Sequence, residues 1–402
     1  MSAWLDVIGI GEDGLAGLSP AARARLADAR LIVGGARHLA LLPKDDARPK
    51  LGWENPLTRT IETLLTHRGT PVAVLATGDP LHCGIGATLL RYLPAQEMRF
   101  LPGLSAFTLV CARLGWDREK VVTLSLHGRP FDRLNRELVP DRRLVLLSAD
   151  RATPAAVAAR LTEAGFGDSV MHVFAHMGGP KEQHVEGVAA HWGAAPGADL
   201  NTIAVDCRAS PAAQPLSFVP GLPDSAFVHD GQLTKAEIRA VTLAALAPLP
   251  GQLLWDVGAG SGAIAIEWLR AVPDTRAIAI EQAQSRLRFI ERNAAVLGAP
   301  ELEIVAGAAP EALRGLAPPD AIFIGGGAAI PGIFDTCWQA LKPGGRLVAN
   351  LVTLEAEAAV LAWHGARGGE LRRLAISRAE AIGGRIGWKP LRPVTQYVVR
   401  KI

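Results

Sequence analysis

The chain has 402 residues, 49% of them hydrophobic and only 5% aromatic, with 42 glycines and 28 prolines. That length holds two or three domains whose cores need no staples, and the composition favours Ala/Leu/Val-packed α/β layers over an aromatic-rich sandwich. Charge is nearly balanced, 42 Lys+Arg against 39 Asp+Glu for a net of +3, which excludes bulk attraction to nucleic acid as the design.

The four cysteines stand far apart at 83, 111, 207 and 337. They form no CxxC, so neither a disulfide framework nor a zinc ribbon is indicated. Asp6 interrupts the opening apolar run, leaving no signal segment visible. The most apolar stretch, Leu253 to Leu269, is broken by Asp256 and Glu267 and cannot span a bilayer. The expectation is a soluble cytoplasmic protein with neither membrane nor nucleic acid as partner. Of the basic residues 34 are Arg and 8 are Lys. A GC-rich genome accounts for most of that bias, and bidentate gripping of substrate carboxylates is a compatible second reason.

In chain order, Leu5–Ile10 reads as a strand running into a glycine turn. Ser19 then caps a helix through about Ala29, with Pro20 at its first position. Strand-like runs follow at 31–33, 72–76, 121–126, 144–147, 171–174 and 201–205, separated mostly by helical patterns such as 155–164. Prolines at 211, 215, 220 and 223 make 208–224 an extended connector, which divides the chain into 1–207 and 225–402. Beyond it, strands at 253–257, 277–280, 302–305, 321–324 and 346–350 alternate with helices near 262–271, 284–297, 331–341 and 354–364. Such alternation predicts parallel sheets with helices on their faces, the second a doubly wound sheet with its ligand at the carboxyl ends of the strands. The halves share no repeat.

In the second half, Gly258, Gly260 and Gly262 lie between a strand and a helix. There they let a ligand approach the backbone, next to unpaired N–H donors. Glu281 ends the next strand about 20 residues on, where nucleotide-binding folds place a ribose-holding acid. A dinucleotide pattern, Gly258-x-Gly260-x-x-Ala263, is a rival on these residues alone. In the first half, Gly9-x-Gly11-x-x-Gly14 also matches a dinucleotide pattern, but the next strand ends in Val33-Gly34-Gly35 with no acid, so that reading fails. Gly78-Asp79-Pro80 and Pro102-Gly103-Leu104-Ser105 each follow an apolar run, where a sheet presents a ligand-facing loop.

Taken together these motifs carry resemblances. The glycine loop, Glu281, Ile324–Gly327 and Leu341–Asn350 resemble class I S-adenosylmethionine methyltransferases, with a Rossmann-like fold. With Val228–Lys235, Gly307–Leu313 and Leu351–Glu355, the match over 222–402 narrows to the C15-methylating, decarboxylating precorrin methyltransferases. Residue 308 is Ala where that family commonly has Asp. The first-half loops resemble the two-lobed tetrapyrrole methylase family. Val33–Leu39, Gly78–Gly86 and Ser125–Arg129 narrow the match over 1–206 to its C5-methylating precorrin members, with Cys83 where an aromatic is frequent. The whole resembles the fused decarboxylating precorrin C5,15-methyltransferases of cobalamin biosynthesis.

The resemblance implies methylation of precorrin-6Y at C5 by 1–207, and at C15 with loss of the ring C acetate carboxyl by 225–402, giving precorrin-8x. It implies two S-adenosylmethionine sites. One is held by Gly9, Gly11, Gly78, Asp79, Pro80, Pro102, Gly103 and Ser105. The other is held by Thr234, Asp256, Gly258, Gly260, Gly262, Glu281, Gly307, Ala308 and Gly325. It also implies a homo-oligomer built through the second domain. No catalytic residue is assigned. Arg385 is the leading carboxylate holder among Arg372, Arg373, Arg378, Arg385 and Arg392, and His229 is placed near the substrate. His38, His82 and His127 fall inside the motifs as pocket-lining candidates. His172 and His176, four apart in a β-like run, lack a third ligand of diagnostic spacing, so no metal is expected. RNA methylation and a non-catalytic first-half scaffold are the rival readings.

Overall fold

The structure is a computed structural model that describes residues 3–195 and 197–402. The chain divides into two compact units, one formed by 1–129 and 138–214 and the other by 130–137 and 215–402.

The first unit contains two five-stranded sheets. Strands β1 (Leu5–Ile10), β2 (Leu31–Gly34), β3 (Lys50–Gly52), β4 (Val72–Thr77) and β5 (Met98–Leu101) pair all-parallel in the order β3-β2-β4-β1-β5. Because successive side chains alternate faces, Leu5, Val7, Val72 and Val74 enter one buried cluster while Ile8, Ile10, Ala73 and Leu75 enter another. Both faces are therefore covered, and β1 is buried throughout, as a central parallel strand requires. Ser19 Oγ accepts from the Ala22 amide and Pro20 opens the helix Pro20–Asp28.

The second sheet is built from β6 (Val121–Ser125), β7 (Arg143–Leu147), β8 (Val170–Ala175), β9 (Gln183–Val188) and β10 (Asn201–Asp206), ordered β6-β7-β10-β8-β9. It corrects the all-parallel expectation. Only β6 and β7 are parallel, β10 runs antiparallel between β7 and β8, and β8 and β9 form a hairpin. An apolar run states that a strand is buried but not which way it points. The short 176–182 connection permits only an antiparallel return.

The second unit is a seven-stranded sheet with a separate hairpin. Its strands are β11 (Leu253–Val257), β12 (Arg276–Glu281), β13 (Glu303–Ala306), β14 (Ala321–Ile324), β15 (Arg346–Leu351), β16 (Glu370–Leu374) and β19 (Val394–Arg400), ordered β13-β12-β11-β14-β15-β19-β16. β17 (Ser377–Ile382) and β18 (Arg385–Pro390) form the hairpin. Helices 236–246, 263–271 and 284–296 cover one face, and helices 333–340 and 354–367 cover the other. The sheet is doubly wound, and its strand order reverses between β11 and β14, where such folds open a ligand crevice.

Two features of this unit lie outside the expected boundaries. Segment 130–137 packs with it, Asn135 Nδ2 donating to the Ala295 carbonyl at 2.8 Å and Arg136 Nη1 to Glu301 at 3.3 Å. Residues 215–223 form neither helix nor strand, as the prolines require, but they are part of the body and not a free connector. The amides of Gly221 and Leu222 donate to Glu267 at 2.7 and 3.1 Å, and Arg270 reaches the carbonyls of Leu216 and Ser217. Among the described residues no helix is long and apolar enough to cross a membrane.

Candidate functional site

A cavity of about 750 Å³ opens at the carboxyl ends of the second unit's parallel strands. Its wall holds Thr234, Gly258, Gly260, Glu281, Gly307, Ala308 and Gly325 from the sequence-derived set. The three loop glycines, all at positive φ, have separate reasons. A Cβ on Gly258 would stand 2.8 Å from the Gly326 amide nitrogen, and one on Gly262 would stand 3.0 Å from Ile290 Cγ2. Both are demanded by packing. At Gly260 the nearest atom is 4.0 Å away, so this glycine keeps the cavity side open.

Glu281 is buried at the cavity wall. Its Oε2 accepts from the Gly260 amide at 2.8 Å, and its Oε1 accepts from the amides of Gln282 and Ala283 at 3.0 and 2.9 Å. The acid thus ties the glycine loop to β12, with one acceptor site on Oε2 left over for a hydroxyl donor. An open glycine, a carboxylate with spare acceptor capacity and a roomy cleft fit a nucleoside bearing an amino-acid tail.

Asp256, Gly262, His229 and Arg385 are not on that wall. Asp256 Oδ2 accepts from Ala265 N at 3.0 Å, joining β11 to the following helix, while Oδ1 finds no partner among the described residues. Burial, assisted by the Glu281 charge and opposed by the Ala265 bond, pushes the Asp256 carboxyl up to about 7. A carboxyl raised in the fold lends stability that is complete below its ordinary 3.8 and disappears as pH rises through 7. Asp256→Asn keeps the Ala265 acceptor and does not titrate. The difference in Tm between variant and parent therefore moves in the variant's favour from about pH 4 to about pH 8, which thermal melts across that range will check.

His229 closes a local turn by accepting from Gly231 N at 2.9 Å. Asp230 and Gln232 both bind Arg286, at 2.8 and 2.6 Å, fastening the 229–232 loop beside the cavity. Arg385 sits at the turn of the β17–β18 hairpin. Arg378 is engaged by Asp224 and Glu237, Arg373 by Glu357 and Arg372 by Glu370. Of the five arginines, the one the fold places on the cavity is Arg392. Lys235, Arg286 and Asn350 also line it and were not singled out from sequence. Lys235 and Asn350 carried a signal, their places at the ends of the Val228–Lys235 and Leu341–Asn350 motifs; Arg286 carried none.

In the first unit the three motif loops converge at the carboxyl ends of the adjacent strands β1, β4 and β5. Gly103 N donates to Gly78 O at 3.0 Å and Gly78 N to Ile10 O at 3.2 Å. A Cβ on Gly9 would lie 1.8 Å from Gly78 O and 2.4 Å from Gly103 N, so these glycines serve first to let three backbones touch. Asp79 Oδ1 caps its own turn through Leu81 N at 2.9 Å. Ser105 is buried, its Oγ accepting from Thr108 N at 3.2 Å as N-cap of helix 106–114. Ser105→Ala is expected to cost about 1 kcal/mol of this unit's stability, read as a lowered urea midpoint.

Beside these loops Arg37 binds Glu12 and donates to Thr77 Oγ1 at 2.7 Å; His176 Nδ1 lies 2.8 Å from Glu12 Oε2. This links the first lobe to the second within the unit. His38 Nε2 stands 2.9 Å from the same Thr77 hydroxyl. Burial, with the Arg37 charge beside it, pushes the His38 imidazole down to about 4, so it is neutral near pH 7. Glu12, Arg37 and His176 are far apart in sequence, and nothing but the folded lobes announces their meeting.

Residues 5–192 match the Tetrapyrrole (Corrin/Porphyrin) Methylases, and residues 225–401 match the family described as Precorrin methyltransferase domain. Precorrin-6Y C(5,15)-methyltransferase (decarboxylating) of Sinorhizobium sp is 45% identical over 397 residues, covering 99% of this chain and 96% of that protein. The chain belongs to the precorrin-6Y C5,15-methyltransferase (decarboxylating) family. It is therefore a methyltransferase, and the dinucleotide-binding reading of the glycine loop falls away. Two shorter proteins each match part of this family member. Cobalt-precorrin-7 C(5)-methyltransferase of Salmonella typhimurium is 32% identical over 168 residues, 42% of this chain and 82% of its own length. "Probable cobalt-precorrin-6B C(15)-methyltransferase (decarboxylating)" of Pyrobaculum aerophilum is 35% identical over 187 residues, 45% of this chain and 94% of its own.

Proposed function

We propose that the chain methylates precorrin-6Y at C5 and C15 and removes the ring C acetate carboxyl, yielding precorrin-8x, with one S-adenosylmethionine site in each unit. The second unit serves C15 and decarboxylation; the first serves C5. The observation that carries this reading is the end-to-end match to a relative named for methylation at C5 and C15 with decarboxylation. The single-site names of the two shorter relatives support the division.

S-adenosylmethionine supplies an electrophilic sulfonium methyl. The protein's part is alignment in a site that excludes water, where proximity contributes roughly 7–11 kcal/mol. In the second unit Gly260 and Glu281, with Gly307, Ala308 and Gly325, hold the cofactor, and the residue at 308 offers only its backbone and a methyl group. In the first unit the Gly9, Gly78 and Gly103 loops with Asp79, Pro80 and Pro102 do so. Loss of the acetate carboxyl as carbon dioxide leaves an electron pair, which the conjugated iminium of the macrocycle accepts before a proton completes the methyl group.

Arg392 takes the carboxylate-holding role first given to Arg385. Arg392→Ala is expected to raise the substrate KM roughly tenfold or more, the loss of one charge-assisted bond, with cofactor affinity unchanged by calorimetry. The exposed apolar hairpin, with Ile386 81% and Trp388 75% exposed, supports self-association through the second unit. Four free thiols suit a reducing cytoplasm. The deciding experiment is mass spectrometry of metal-free precorrin-6Y incubated with the protein and methyl-labelled S-adenosylmethionine. Two labelled methyls gained and one carbon dioxide lost support the assignment; a single methyl overturns the two-site reading.

A further inference from the structure

The β8–β9 hairpin assembles a cluster that neither the methyl-transfer sites nor any motif uses. In the antiparallel register His172 stands opposite Glu186, and Phe174 opposite His184. Residues two apart share a face, so two imidazoles and a carboxylate project together from the sheet's edge strand and its neighbour. His172 Nδ1 lies 3.2 Å from His184 Nε2 and 3.4 Å from Glu186 Oε2. All three ligand atoms fall within 4.8 Å of one another.

We propose that His172, His184 and Glu186 bind a divalent cation of the zinc class. In a tetrahedral site with metal–nitrogen and metal–oxygen bonds of about 2.0–2.2 Å, neighbouring ligand atoms sit about 3.3–3.5 Å apart. The His172–His184 and His172–Glu186 separations are close to that edge length. Imidazole and carboxylate donors suit zinc, nickel, copper and cobalt over the hard alkaline-earth ions. Three protein ligands leave the fourth position to water.

The rings are already held. His184 lies flat on Phe174, centroids 4.2 Å apart at 4°. His172 is stacked at 5.3 Å on His184 and meets the Trp116 ring edge-on at 6.3 Å. Orientation cost is therefore small, and a bound ion clips β9, the edge strand of this sheet, to β8. Burial also lowers the His172 pKa from its ordinary value. The competing account is a plain N–H···N bond between the two rings, which needs no ion.

The test uses the full chain stripped of metal by a chelator, then titrated with zinc chloride by calorimetry and with cobalt(II) by visible absorption. One equivalent per chain is expected, with the intense absorption of four-coordinate cobalt and a Tm that rises with added zinc. His184→Ala weakens binding by at least roughly tenfold, since even an outer-sphere loss costs that much, and removes the Tm rise. Glu186→Gln changes a side chain that is 61% exposed and keeps the test open if His184→Ala folds poorly; it too weakens binding. His191→Ala, outside the cluster, binds as the parent does. No uptake of either ion, or equal affinity in the parent, His184→Ala and Glu186→Gln, overturns the proposal.

Discussion

Gly258→Ala is expected to abolish C15 methylation and carbon dioxide release and, with one proposed cofactor site in each unit, to remove one of the two equivalents taken up per chain. The position has φ +70°, and the added methyl would face Gly326 N at 2.8 Å and Gly326 Cα at 2.9 Å. Those are backbone atoms that cannot rotate away, so the β11 and β14 loops must part. Displacement by about 1 Å of groups that align a reaction costs on the order of 100-fold in rate. The companion change Gly78→Ala, at φ +56° and 2.7 Å from Leu104 O, acts in the other unit and is expected to stop C5 methylation alone. Methyl-labelled products resolved by mass spectrometry and carbon NMR read both. Loss of C5 methylation with C15 intact in Gly258→Ala sinks the division of labour.

The largest stability effect is expected at Glu267. Its side chain is 1% exposed and its partner Arg239 is 0% exposed, joined at 2.7 Å. Besides Arg239 it accepts the Gly221 and Leu222 amides, while Arg239 also reaches Asp224 at 2.9 Å and the carbonyls of Thr234 and Leu222. Glu267→Ala takes one of two carboxylates from a buried guanidinium and strands two backbone donors at once, so roughly 3–5 kcal/mol is lost. Urea unfolding followed by tryptophan emission should show the second unit melting early. The contrast is Arg151→Ala. Arg151 binds Asp199 in an equally short pair, but both side chains are 60% exposed, and solvent makes such pairs nearly worthless. If the two variants melt alike, residues 215–224 are not fastened by Glu267 in solution.

Local pattern made several elements legible. Ser19-Pro20 announced a helix start because a hydroxyl cap and a fixed φ act within a few residues. The runs 253–257 and 321–324 announced buried strands with the bounds the structure shows. Glycines at 258, 260 and 262 marked a strand–helix loop at a ligand cavity, since only glycine tolerates φ near +60 to +80° in succession.

What escaped the sequence depended on distant partners. The three-residue β3 and the exposed β9, β17 and β18 carry no apolar run, since only pairing defines them. The mixed direction of the second sheet follows from which strand inserts between β7 and β8. Asp256 and Ser105 read from sequence as ligand contacts, and the fold also gives each a structural task, one accepting from a helix amide and the other capping a helix.

By itself the sequence determined two α/β parts with glycine loops at their strand ends, because backbone conformation and strand burial are local demands written residue by residue; methyl transfer entered through the resemblance those motifs carry. Only the tertiary structure decided that Arg392 and not Arg385 borders the cavity, that 215–224 is stitched by Glu267 and Arg239, and that His172 meets His184 and not His176. Each of those outcomes rests on sheet order and register, which bring together side chains that no spacing along the chain relates.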